Sequence, residues 1–444
     1  MKKRIKQALL VVLASLTLYA CDMTKGADNE GAPGINVAYV DSTVRPQDDF
    51  YQFVNGGWLE TATIPEDRTS WGGFQILRKQ TNADVLAIIA QAQESDKYAP
   101  DSDQAKALYV FESVLDTVAR NKAGIEPIKP ALEKIATIQN AEDLQTVLAE
   151  NPSTISAPFF GLAVFSDPDN SDINAAYIAP GGLGLPDRSY YVKDDENSKE
   201  IRQKYVDHIT RMLQFLGTDE ETARENAEMI LAFETKLATP RFTKVESRDF
   251  RNFNNPMSIK ELADITPAVN WNKYISDLGV EKELESVLVM QPEYMKVLQD
   301  ILDKGNVDKW KTMMRWATLN SAAGYLTTEI EKANWDFYSK TLRGVQEQRP
   351  PKERALITTN RTVGEALGKL YVEEKFPPEA KAKAETMIAN IIAAYEVRIQ
   401  DLEWMSDSTK LKAIEKLDSF TVKIGYPDKW EDYSDLKVDA DNSY

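Results

Sequence analysis

Long stretches of the sequence repeat apolar residues every three or four positions, the spacing that puts them on one face of an α-helix. From Pro378 onward, Met387, Ile391, Tyr395, Ile399 and Leu402 recur in this way, and Ile388 and Ile392 widen the stripe. A stripe that broad is expected to face a core. Pro377 and Pro378 suit a helix start, where the missing N–H is harmless. Ser406 to Thr409 offers caps for a following helix with Leu411, Ile414 and Leu417 on one face. The same period predicts helices over Phe74–Ile89, Ala105–Val118, Ile201–Leu216 and Glu221–Leu237. The fold class that follows is mainly α, with a few short β-hairpins.

Strand signals are fewer. The apolar run Phe159–Phe165, the Asp167-Pro168-Asp169-Asn170 turn and Ile173–Ile178 predict a hairpin. Phe420, Val422 and Ile424 alternate and predict a short strand before the Tyr426-Pro427-Asp428 turn. Pro180-Gly181-Gly182-Leu183-Gly184-Leu185-Pro186 is glycine-rich but lacks the Gly-Lys-Ser/Thr ending of a phosphate loop, and reads as a structural turn.

The first twenty residues read as an export signal. Lys2, Lys3, Arg4 and Lys6 precede the short apolar stretch from Ala8 to Leu18, which is too short to span a bilayer needing about 20 helical residues. Leu18-Tyr19-Ala20-Cys21 then matches a bacterial lipoprotein cleavage site, with Cys21 as the lipidated residue and membrane attachment through its acyl chains. Residues 21–44, rich in Gly, Asp, Asn and Ala, read as a flexible tether.

Composition restricts the chemistry. Cys21 is the only cysteine, so disulfides and cysteine catalysis are excluded from the mature body. The formal net charge is −17. Such acidity argues against nucleic acid as a partner, since phosphates require clustered Lys and Arg. The single histidine, His208, has no second histidine four residues away and no glutamate beside it, so His-Glu-x-x-His is absent. It reads as an ordinary helix-surface or core histidine. No Gly-x-Ser-x-Gly elbow is present either. No catalytic or metal-ligating residue can be named in this chain, and no zinc is expected to be bound by it.

Five ordered strings resemble the neprilysin and endothelin-converting-enzyme family of zinc metallopeptidases, including its bacterial members. They begin at Arg45-Pro46-Gln47-Asp48-Asp49-Phe50-Tyr51-Gln52-Phe53-Val54-Asn55-Gly56-Gly57-Trp58, continuing to Ile64-Pro65-Glu66 and Trp71-Gly72-Gly73-Phe74. Gly182-Leu183-Gly184-Leu185-Pro186-Asp187-Arg188-Ser189-Tyr190-Tyr191 follows, then Ser247-Arg248-Asp249 with Asn255-Pro256-Met257. Gly364-Glu365-Ala366-Leu367-Gly368-Lys369-Leu370-Tyr371-Val372 is the fourth string. Leu402-Glu403-Trp404-Met405, running on to Ile424-Gly425-Tyr426-Pro427, is the fifth.

The resemblance implies that residues 45–427 are the large helical N-terminal lobe of such an enzyme. It implies that the catalytic, thermolysin-like part is missing and that residues 428–444 are its truncated start. Zinc belongs to the complete enzyme, whose partners are peptide substrates and whose location is the cell envelope. Ser70 stands where some members carry an arginine that grips a peptide C-terminus, so endopeptidase preference is expected. Pro351 and Lys352 replace an Arg-Trp pair usual in the family. Arg78, one turn past Phe74, is the candidate to face the substrate cavity. The alternative is a catalytically inactive, peptide-binding envelope lipoprotein.

Overall fold

The computed structural model describes residues 36–438 except Asp96 and Glu283. Cys21, the export signal and most of the tether lie outside the described residues. The chain divides into two units, Met1–Pro65 and Glu66–Tyr444. In the first, Asp49 caps helix α1 (Phe50–Leu59) by accepting the Gln52 N–H at 2.9 Å.

The second unit opens with α2 (Gly73–Gln93), α3 (Asp103–Leu115) and α4 (Thr117–Ala123). The expected helix over Ala105–Val118 breaks at Asp116, whose side chain accepts the Ala119 N–H and starts α4. Next come α5 (Lys129–Ala136), α6 (Ala141–Glu150) and the hairpin of β1 (Phe160–Ser166) and β2 (Asn174–Pro180). Asp167 shapes its turn by accepting the Asp169 and Asn170 N–H groups.

After α7 (Arg188–Val192), α8 (Glu196–Gln214) and α9 (Glu220–Ala238) lie side by side, each started by an aspartate cap. Strand β3 (Pro256–Ser258) leads through α10 (Ile259–Ile265) and α11 (Trp271–Asp277) to β4 (Ser286–Val289). The strands form one mixed sheet in the order β1-β2-β4-β3, with β2 and β4 parallel and the other pairs antiparallel.

Helices α12 (Pro292–Lys304), α13 (Val307–Ala322) and α14 (Thr328–Trp335) follow, and α14 runs into a π-helical turn, Asp336–Thr341. The chain then forms α15 (Pro351–Thr362), α16 (Gly364–Lys375), α17 (Pro378–Gln400) and α18 (Asp407–Asp418). Pro351 takes the first position of α15, where a proline costs no hydrogen bond.

Two hydrophobic cores hold the second unit. The larger draws on residues from Ile128 to Phe337, with Trp271, Trp316, Tyr205, Tyr294 and Phe159 fully buried. The smaller packs α2, α3, α15 and α16 through Ile89, Phe111, Leu356 and Leu370. Between them Glu331 of α14 binds Arg120 at 3.1 Å and Arg354 at 2.8 Å. Arg120 also donates to the Val114, Gly324 and Leu326 carbonyls, so one guanidinium ties α3 to the chain entering α14.

Two expectations are corrected. Phe420–Ile424 forms no strand: alternation supplies a face, but an extended segment also needs a neighbouring strand to satisfy its backbone. The stripe of α17 does not face a core, because none of that helix's residues is buried. Met387, Ile391 and Tyr395 lie open, as do Trp404 and Leu411 beyond them.

Candidate functional site

Three places in the second unit carry chemistry that the packing does not by itself require. The first is a cavity of about 470 Å³ between the start of β1, the glycine-rich loop after β2, and α13. Phe160, Tyr274 and Trp316 contribute aromatic wall, and Asn320 and Glu234 contribute polar groups. Phe160 meets Tyr274 edge-on at 5.0 Å.

Glu234 is buried in α9. Its Oε2 accepts the Tyr191 hydroxyl at 2.7 Å and the Tyr205 hydroxyl at 2.9 Å, and its Oε1 accepts the Gly184 N–H at 3.2 Å. Burial raises the Glu234 pKa, and the two tyrosine hydroxyls act against that rise. The Leu185 N–H in turn donates to the Tyr191 hydroxyl at 2.8 Å. Arg241 pins the other end of the loop through the Gly181 carbonyl at 2.8 Å. The loop is thus the structural turn expected from its sequence, and it is held by a carboxylate 50 residues further on.

The second place is His208, buried on α8. Its ring stacks on Phe337 at 4.8 Å and 8°, and meets Trp316 and Tyr338 edge-on. Nε2 has no hydrogen-bond partner. Burial first, and the Arg211 charge second, push its pKa down to about 3. Burial therefore favours the neutral imidazole in the folded chain at neutral pH.

The sign of the pH dependence follows. The unfolded histidine titrates near 6.5 and the folded one near 3, so between these values the unfolded chain binds a proton that the folded chain does not. The His208 contribution is present above pH 6.5 and falls by about 1.4 kcal/mol per pH unit below it. Glu234 acts in the opposite direction, since its raised pKa costs stability as pH rises from 4.5 towards its folded value. His208 is the only histidine, so His208→Phe isolates its share. Denaturant unfolding at pH 6.5 and pH 5 should show the parent chain losing about 2 kcal/mol more than the variant. Equal losses would refute this assignment.

The third is a set of open apolar helix faces. On α2, Phe74 is 88% exposed and Leu77 61%, with Arg78 exposed beside them. On α17 and α18, Met387, Tyr395 and Leu411 are more than half exposed. Exposed apolar residues in such number mark an interaction surface rather than a finished exterior.

A zinc ion does not fit the described residues. The sequence has one histidine and one cysteine, and His208 is enclosed by aromatic rings. Among the described residues no group of three or more His, Cys, Asp and Glu side chains could hold a metal. Sequence reading missed Glu234, one of 70 acidic residues, because nothing in its own helix marks it.

Comparison with known proteins places this geometry in context. Residues 46–427 match the model described as Peptidase family M13. Neutral endopeptidase of Lactobacillus helveticus is 31% identical over 415 residues, covering 92% of this chain and 63% of the relative. Endothelin-converting enzyme 1 of Rattus norvegicus is 26% identical over 401 residues, covering 87% of this chain and 52% of the relative. The crystal structure of a zinc metalloprotease of Mycobacterium tuberculosis, in complex with an inhibitor, superposes with a TM-score of 0.84 at 32% identity. That match covers 93% of this chain and 62% of the solved one. The chain thus spans between about half and two thirds of the length of these relatives.

Proposed function

This chain belongs to peptidase family M13, and on that premise we propose that it forms the helical, cavity-forming lobe of a zinc metalloendopeptidase acting on peptides in the cell envelope. The match over residues 46–427 carries the reading. The zinc ion and its ligands are supplied by sequence outside these 444 residues. Two observations support that division: the relatives are longer than the part this chain covers, and among the described residues no group of His, Cys, Asp and Glu could hold a metal.

The exposed face of α17 and α18 is covered by the zinc-binding lobe of the same protein. That occupant accounts for a stripe patterned for burial on a helix with no buried residue. The length of relatives beyond the matched region supplies enough chain to form it. Arg78, beside Phe74 and Leu77, faces the peptide-holding cavity. Cys21 carries the lipid, and residues 21–44 tether the peptidase to the membrane.

When bound, zinc polarises the scissile carbonyl and acidifies a water molecule. This chain's residues restrict access and orient the peptide. The purified 444-residue chain is expected to hydrolyse no peptide, with or without added zinc, in a fluorogenic endopeptidase assay. Zinc-dependent cleavage that a chelator abolishes would overturn the assignment of the zinc site to other residues.

A further inference from the structure

We propose that the cavity beside Glu234 is a binding site for a small organic cation, a guanidinium or primary ammonium group, separate from any zinc chemistry. Glu234 lines the cavity and is buried, yet the three groups bound to it are all neutral. Buried charges are ordinarily paired or satisfied by a bound cation. Arg241, whose charge acts on Glu234, gives its hydrogen bonds to the Leu237 and Gly181 carbonyls instead. Oε1 accepts only the Gly184 N–H and keeps capacity for a second donor.

The rest of the wall suits the same class of ligand. Tyr274, Trp316 and Phe160 offer aromatic rings, which attract cations held against their faces. At about 470 Å³ the cavity lies within the ~300–1,000 Å³ range of small-molecule sites. Its size suits a small molecule or a peptide side chain rather than a folded partner. The cation comes either from a basic residue of a peptide or from a free small amine; the carboxylate–aromatic recognition is common to both.

Isothermal titration of the full chain with butylguanidinium tests this, with butylurea as the neutral isostere. Butylguanidinium should bind at least about tenfold more tightly than butylurea, a charge-assisted hydrogen bond's worth of discrimination. Its affinity should rise with pH as Glu234 ionises, since burial raises that carboxyl's pKa. Glu234→Gln should abolish the preference for charge.

Gly182→Leu provides a variant that leaves Glu234 untouched. Gly182 lines the cavity, and a Cβ there meets nothing within 4 Å, so a leucine adds bulk at the cavity wall without a clash at its Cβ. It should remove binding while leaving the melting temperature unchanged. Ala-Arg-Ala compared with its citrulline counterpart separates the two sources. Tighter binding than butylguanidinium supports a peptide side chain, and weaker binding supports a free amine. Equal affinity for the charged and neutral probes, affinity unchanged in both variants, or no binding at millimolar concentration would overturn the proposal.

Discussion

Gly184→Ala is expected to destabilise the chain by about 4 kcal/mol or more, enough to lose the folded state in many domains. A Cβ at this position would stand 1.6 Å from the Tyr205 hydroxyl oxygen, 2.7 Å from Tyr205 Cζ and 3.2 Å from Glu234 Oε1. Tyr205 is fully buried against Trp316 and Phe337 and has nowhere to retreat. Overpacking alone costs about 1–3 kcal/mol, and breaking the buried carboxylate's hydrogen bonds adds about 1.5–3 kcal/mol. The mechanism has a specific test. Tyr205→Phe removes the clashing oxygen, so the two substitutions together should cost less than the sum of each, by about 1 kcal/mol or more. Strict additivity in urea unfolding would show that Gly184 matters for another reason.

The second large effect is expected at Glu331. Its carboxylate bridges Arg120, whose side chain is 4% exposed, and Arg354, whose side chain is 27% exposed. Removing it by Glu331→Ala leaves two guanidiniums facing each other, one without water. Breaking a buried pair in this way costs about 3–5 kcal/mol. The loss falls between the two hydrophobic cores, so calorimetry should show one unfolding transition dividing into two. The Lys260–Asp264 pair has similar chemistry but side chains 84% and 65% exposed, and Asp264→Ala should change little. A small, single-transition effect of Glu331→Ala would mean that the cores are coupled by packing alone.

The helices could be read from the sequence because each carries its own signals. The helix Glu220–Ala238 has Asp219 as a cap and an apolar face within its 19 residues, and it appears where expected. The Phe160–Pro180 hairpin was equally readable, since two apolar runs flank an Asp-Pro-Asp-Asn turn. Pro256–Ser258 and Ser286–Val289 were not, because three or four residues become strands only when β4 pairs with β2 and β3 pairs with β4. The α17 stripe announced a helix correctly, but periodicity reports which face is apolar and not what covers it.

The candidate sites were less legible for the same reason. Gly184 looked like one more turn glycine, while its requirement comes from Tyr205, 21 residues away. Arg120 and Glu331 are separated by 211 residues, and no local pattern relates them. His208 was read as an ordinary helix-surface or core histidine, and it lies in the core. Its partners Trp316, Phe337 and Tyr338 come from distant helices and could not be inferred. Family resemblance, by contrast, was carried by local strings and needed no tertiary knowledge. The family model matches residues 46–427.

The most direct test of the central claim is to read the source DNA downstream of the codon for Tyr444. The proposed division of labour predicts an open frame that encodes His-Glu-x-x-His and a later glutamate ligand. A stop codon directly after Tyr444 would contradict it, and peptide capture without cleavage would then replace hydrolysis as the function to be tested.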